Sequence, residues 1–134
     1  MRLVAPVVLS IACTGMLPVD GGTAEPELTK HVEELRQAEL ALQAVDDFLP
    51  CSTEAAAKTS STTVARTWDG EDCFARIGWE PKEAVRGGYF VTVNADRSDF
   101  VVVGLADTDG DGTFMRVEAS RGAAAAVKSP AEVR

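Results

Sequence analysis

The chain has little of what a catalytic site or a nucleic-acid surface needs. Its 134 residues include a single histidine, and 21 Asp and Glu against 13 Lys and Arg give a formal net charge of −8. One histidine, no evident triad and no glycine-rich phosphate loop predict that the protein is not an enzyme and has no small-molecule substrate. Because nucleic acids and acidic membranes bind basic patches, the negative charge argues against both as partners.

The chain also lacks an apolar run of the ~20 residues that a transmembrane helix needs, but its start resembles an export signal. Residues 1–12 carry Arg2 and then a short apolar stretch, a pattern typical of a signal peptide. Cleavage before Cys13, which follows the small Ala12, would leave a lipidated cysteine. Cleavage after Ala24 would release a soluble protein instead. We therefore expect a periplasmic, outer-membrane or surface location, with membrane contact only through the lipid anchor that the first cleavage would leave on Cys13.

Cysteine is scarce, and its count of three is odd. A disulfide between Cys51 and Cys73 would close a loop of 22 residues and stabilise the fold by about 3 kcal/mol. Export makes this bond plausible, because extracytoplasmic compartments are oxidising. Cys13 is then left over, and an unpaired thiol in an exported protein favours the lipidation hypothesis.

The rest of the chain predicts a tether over residues 13–26 and one globular domain over 27–134. Pro26 suits the first turn of a helix, and Pro50 would end it. Apolar residues three and four apart give this helix a core-facing stripe: Leu28, Val32, Leu35, Ala38, Leu42, Val45 and Leu49. The stripe spans only about three heptads, which favours a core face over a coiled coil. His31 lies beside the stripe and is expected to be solvated.

The second half predicts an antiparallel β-meander. Residues 51–72 are expected to form a long loop with a helical turn at 53–58, and Trp68, Phe74 and Trp79 to pack in the core. Strands are predicted over 88–95, 99–106 and 114–120, with the Ala-rich tail from Arg121 as a short final segment or a frayed end. The predicted fold class is therefore α+β, with one long N-terminal helix as the only element able to cover a three- to four-stranded antiparallel sheet.

The most specific motif is Asp107-Thr108-Asp109-Gly110-Asp111-Gly112, followed by five residues and Glu118. This is the ligand order of a twelve-residue calcium loop. Ca²⁺ takes six to eight oxygen ligands, and here the ligand set would be Asp107, Asp109, Asp111, the Thr113 carbonyl and a bidentate Glu118. Its flanks are predicted strands, not helices, so a metal-free β-turn of Asp and Gly is the alternative.

Several segments together resemble type IV pilins and pseudopilins. These are Ala38-Glu39 followed by Leu42, then Phe74-Ala75-Arg76-Ile77-Gly78-Trp79-Glu80-Pro81, Arg86-Gly87-Gly88-Tyr89, the strand and acidic loop over 100–112, and Ser129-Pro130-Ala131-Glu132-Val133. The resemblance covers residues 28–134 and implies a pilin-like fold. Pilins also carry a leader ending in Gly and then about 20 apolar residues. Gly21-Gly22-Thr23-Ala24 stands where that segment is expected, so the resemblance does not imply polymerisation.

We therefore expect a non-enzymatic, exported, pilin-like envelope module with a calcium-ordered hairpin, an accessory of type IV pili or secretion filaments. Its partners would be envelope, pilus or secretion proteins. The alternative is a periplasmic or surface binding or adhesion lipoprotein unrelated to filaments, with the loop over 51–72 as its contact surface.

Overall fold

The computed structural model describes residues 24–68, 72–107 and 110–128. The predicted signal peptide, Cys13, Asp109 and the segment 129–134 lie outside these residues. The described elements are α1 (Glu25–Leu42), α2 (Glu54–Ser60), α3 (Asp72–Ile77), β1 (Gly88–Val93), β2 (Phe100–Ala106), β3 (Met115–Ser120) and β4 (Ala123–Val127). The strands form one antiparallel sheet in the order β1-β2-β3-β4. The predicted α+β class, with a helix packed on an antiparallel meander, is confirmed, and the described part of the chain contributes four strands to the sheet.

Helix α1 lies across β2, β3 and β4 and buries Leu28, Val32 and Leu35 against them. Close contact needs a glycine in β2, because a Cβ on Gly104 would lie 2.9 Å from the side chains of both Tyr89 and Val32. The predicted stripe is therefore correct over its first turns, and it is the core-facing surface that the pattern indicated.

The predicted end of this helix is wrong. Helix α1 stops at Leu42, and Val45 is 85% exposed instead of buried. The cause is a tertiary contact, because the Glu39 carboxylate accepts a hydrogen bond from the backbone N–H of Leu49 at 3.0 Å. This bond turns the chain back, and the ring of Phe48 packs edge-on against Phe100 with centroids 4.7 Å apart. Phe48 thus fills core space that the sequence pattern assigned to Val45.

Both faces of the sheet are covered, which corrects the expectation that α1 is the only cover. On the face opposite α1, the small helix α2 packs against β1 and β2. The side chains of Phe90, Val103 and Leu105 form a second apolar cluster there with Ala57. Helix α2 can come this close because β1 has a glycine at its start: a Cβ on Gly88 would lie 1.9 Å from the Ala57 carbonyl oxygen.

The connection between α1 and the sheet is more ordered than a loop. The predicted helical turn is confirmed as α2, whose first turn is capped by the Thr53 hydroxyl accepting from the Ala56 N–H at 3.1 Å. Helix α3 was not predicted. The disulfide joins Cys51 and Cys73, whose Cα atoms are 5.5 Å apart, and Cys51 exchanges backbone hydrogen bonds with Val91 of β1. The disulfide therefore fastens α3 to the edge of the sheet.

Candidate functional site

The acidic hairpin between β2 and β3 is organised around Asp107. Its carboxylate accepts hydrogen bonds from the backbone N–H groups of Gly110, Asp111 and Gly112, at 2.9, 3.2 and 2.8 Å. Gly110 and Gly112 have φ angles of +74° and +86°, a conformation that glycine adopts at little cost. Asp111 in turn accepts from the Thr113 N–H at 2.8 Å. The hairpin tip is thus a tight, carboxylate-centred turn.

Glu118, the fifth predicted calcium ligand, is not brought to this tip. It lies on β3 opposite Val103 and accepts a hydrogen bond from Arg116, whose guanidinium also lies 3.6 Å from Glu54 at the start of α2. The tip lies near the other end of α2, where the Asp107 N–H donates to the Ser61 hydroxyl at 3.0 Å. The seven residues of α2 separate the two places by about 10 Å.

Among the described residues, no three His, Cys, Asp or Glu side chains are grouped as metal ligands. Asp109, the middle carboxylate of the motif, lies outside those residues. The described tip offers the carboxylates of Asp107 and Asp111 beside Thr113, without Glu118. Calcium binding therefore stays a prediction that depends on the tip residues alone.

A groove lies between α1 and the segment after α3, and the sequence analysis did not predict it. We call it the α1 groove; it has a volume of about 710 Å³ and is lined by Lys30, Glu33, Glu34, Gln37, Gly78, Trp79, Glu80, Pro81, Lys82 and Glu83. Gly78 shapes one wall, because its φ of +99° lets the N–H groups of Gly78 and Trp79 both donate to the Phe74 carbonyl at 3.0 Å. The Trp79 indole N–H donates to Glu34 at 3.1 Å across the groove floor.

A partly buried chain of hydrogen bonds lies behind this groove. The Tyr89 hydroxyl donates to Glu27 at 2.8 Å, and the same carboxylate accepts from the backbone N–H groups of Arg86 and Gly87 at 2.8 Å each. Since the single hydroxyl hydrogen goes to Glu27, the 3.1 Å contact between Tyr89 and His31 requires His31 Nδ1 to donate. Burial, and secondarily the Glu27 charge, raise the pKa of Tyr89 well above its ordinary value.

His31 is therefore a buried residue, 1% exposed, and the prediction of a solvated histidine is wrong. Its ring packs edge-on against Trp79 and Tyr89, with centroids 5.6 and 5.5 Å away. Its Nε2 has no hydrogen-bond partner among the described residues and lies 3.8 Å from a Glu83 carboxylate oxygen. Burial lowers the pKa of His31, although nearby glutamates oppose this effect. The spacing held a signal, because position 31 follows Leu28 by three residues and precedes Leu35 by four.

The predicted packing role of the aromatic residues is confirmed. Phe74 and Trp79 are buried and Trp68 is partly buried. The Trp68 ring lies edge-on to both, with centroids 5.3 and 5.1 Å away. Trp68 also lines a more polar depression of about 360 Å³ on the other side of residues 80–83. These three rings pack against one another beneath the wall of the groove.

Comparison of the chain with models of protein families, with curated proteins and with solved structures gave no match. Across residues 24–68, 72–107 and 110–128, no helix combines the length and the apolarity that crossing a membrane requires.

Proposed function

We propose that the chain is a non-enzymatic, exported module with a pilin-like domain that binds proteins of the cell envelope as an accessory of type IV pili or secretion filaments. The observation that carries the proposal is the combination of α1 across an antiparallel meander with the Cys51–Cys73 disulfide between helix and sheet. This combination supports the resemblance stated for residues 28–134, and the disulfide supports an oxidising compartment.

A binding role is supported by two preformed surface features. The α1 groove has walls fixed by backbone hydrogen bonds, and the hairpin tip is fixed by the Asp107 carboxylate. Preformed surfaces lose less conformational entropy when a partner binds. The proposal includes calcium at the tip, where Asp107, Asp109 and Asp111 would supply the carboxylates and Thr113 its carbonyl, while Glu118 remains with Arg116.

Mass spectrometry of the N-terminus of the chain isolated from its native cells tests the export part. A diacylglyceryl group on Cys13 would establish a tethered lipoprotein, and a start at Glu25 a soluble exported protein. Pilin leaders end in glycine, and a methylated residue after Gly15 would establish processing of that type. An unprocessed chain in the cytosolic fraction, with Cys51 and Cys73 reduced, would contradict the proposal.

The filament part needs a separate measurement. Filaments sheared from the cells should carry the chain in reproducible proportion to the major subunit, and the chain should be lost from that fraction in cells that do not assemble filaments. If the amount recovered is the same in both kinds of cell, the alternative of a binding or adhesion lipoprotein unrelated to filaments is favoured.

A further inference from the structure

The α1 groove combines an apolar floor with carboxylates at its rim. Trp79 and Pro81 are largely buried in the segment after α3, and the small apolar surface that they leave exposed forms the floor of the groove beside α1. Glu34 and Glu80 are exposed at the rim. Such a floor suits the aliphatic part of a long side chain, and such a rim suits a cation at its end.

The charges of the groove do not cancel within the molecule. Its lining has four glutamates and two lysines, so it has a surplus of negative charge. Lys30 is paired with Glu83, and Glu33 is paired with Arg36 outside the groove. Among the described residues, Glu34 and Glu80 have no ion pair with a basic side chain, which leaves two rim carboxylates against the single ammonium of Lys82.

The walls of the groove are already in place before any ligand arrives. The indole of Trp79 is fixed by its hydrogen bond to Glu34 and by edge-on contacts to the buried rings of His31, Phe74 and Tyr89. A concave groove of several hundred Å³ has the size of a typical binding site. A ligand that fits the groove can bind with little rearrangement of the protein, which lowers the free-energy cost of binding.

We propose that the α1 groove binds a short extended segment of a partner protein that presents an arginine or lysine flanked by apolar residues. The apolar residues cover Trp79 and Pro81, and the cation lies between Glu34 and Glu80. This inference deepens the proposed envelope-binding function and rests on it for the kind of partner.

The test uses NMR spectroscopy of the full chain with a probe peptide. The peptide is an acetylated, amidated pentamer with arginine at its centre, leucine on both sides and glycine at both ends; two matched peptides carry norleucine or glutamate at the centre. The chain has two tryptophans, and a Trp68→Phe variant assigns the Trp79 indole signal. We expect the arginine peptide to shift this signal and to bind roughly fivefold more tightly than the norleucine peptide, since exposed ion pairs contribute modestly.

Glu34→Gln and Glu80→Gln are the decisive variants, because glutamine keeps the acceptor for the Trp79 indole and removes the charge. Each should weaken binding of the arginine peptide by roughly two- to fivefold and leave binding of the norleucine peptide unchanged. Asp47→Asn, an exposed carboxylate in the turn after α1, is the control and should change neither. Equal binding of all three peptides, an unshifted Trp79 signal, or insensitivity to both glutamine variants would overturn the inference. Those results would leave filament association to be judged by its own experiment.

Discussion

Glu39 should make the stability of this fold fall as the pH rises. Its side chain is fully buried on α1, with one carboxylate oxygen accepting from the Leu49 N–H and the other without a hydrogen-bond partner among the described residues. Burial raises the pKa of Glu39 from 4.5 to about 7, and the Leu49 hydrogen bond opposes this only in part. The folded protein therefore holds a proton here that the unfolded chain has released.

The direction follows from proton binding. Between pH 4.5 and about pH 7 the folded state binds more protons at Glu39 than the unfolded state, so the free energy of unfolding decreases as the pH rises. The stabilisation contributed by protonated Glu39 is fully present below pH 4.5 and is lost above about pH 7, the pKa of Glu39 in the folded protein. Each pKa unit corresponds to about 1.4 kcal/mol, which makes the total change roughly 3 kcal/mol across this window.

Urea unfolding followed by tryptophan fluorescence at pH 4, 5, 6, 7 and 8 measures this change. Glu39→Gln keeps an oxygen acceptor for Leu49 and removes the titration, so subtracting the wild-type curve from that of the variant isolates Glu39 from all other groups. We expect the variant to gain roughly 3 kcal/mol relative to the wild type between pH 4 and pH 8. Glu80→Gln, at an exposed position, is the control for the removal of one carboxylate from the chain. A flat difference curve for Glu39→Gln would refute the reasoning.

Three further measurements test the disulfide, the hairpin tip and the buried histidine. Replacing Cys51 and Cys73 with serine should lower the free energy of unfolding by about 3 kcal/mol, and reductant should lower the free energy of unfolding of the wild type to the same value. If neither change lowers it, the disulfide does not stabilise the fold as proposed. At 5 mM Ca²⁺ and a dissociation constant of about 10⁻³ M, the wild type should gain about 1 kcal/mol. Asp111→Asn should remove this gain and Glu118→Gln should keep it, whereas equal melting with calcium and with chelator would reject the calcium proposal. His31→Phe keeps a ring beside Trp79 and should cost about 1 kcal/mol at pH 7 through the lost Tyr89 hydrogen bond. Because burial lowers the pKa of His31 from its ordinary value of 6.5, the contribution of His31 to stability should decrease as the pH falls below 6.5, opposite in sign to that of Glu39. The variant should therefore gain stability relative to the wild type over this range, and a constant difference between the two proteins would contradict this.

The elements that could be predicted from the sequence are those fixed by local pattern. The apolar and β-branched residues of β1, β2 and β3 determine these strands, and the stripe from Leu28 to Leu35 determines which face of α1 is buried, because both signals arise within a few residues. The Ala-rich β4 has no such signal, and its segment was expected to be a short final segment or a frayed end. The end of α1 is different. It depends on the Glu39–Leu49 hydrogen bond, and a glutamate in a helical pattern gives no sign that its carboxylate will be buried.

The candidate groove and the second face of the sheet depend on residues far apart in the chain. Ala57 meets Gly88 across the connection between helix and sheet, and Glu34 meets the Trp79 indole from 45 residues away. Each residue alone has an ordinary explanation: a small residue in a helix, a surface carboxylate, a core aromatic. Only the antiparallel sheet and the disulfide bring them together, so no spacing in the sequence could have indicated either contact.

The hairpin shows why a motif defined by spacing depends on its flanks. After the tip, β3 advances about 3.3 Å per residue, so Glu118 lies roughly 10 Å beyond Met115 along the strand, on the face where Arg116 and Glu54 lie. Where a helix follows the loop, the chain rises only about 1.5 Å per residue, so the last ligand of the motif stays close to the loop. A calcium ion bound by a loop between two strands would therefore take its remaining oxygens from tip carbonyls and water, which favours a weak, extracellular type of site over a tight one.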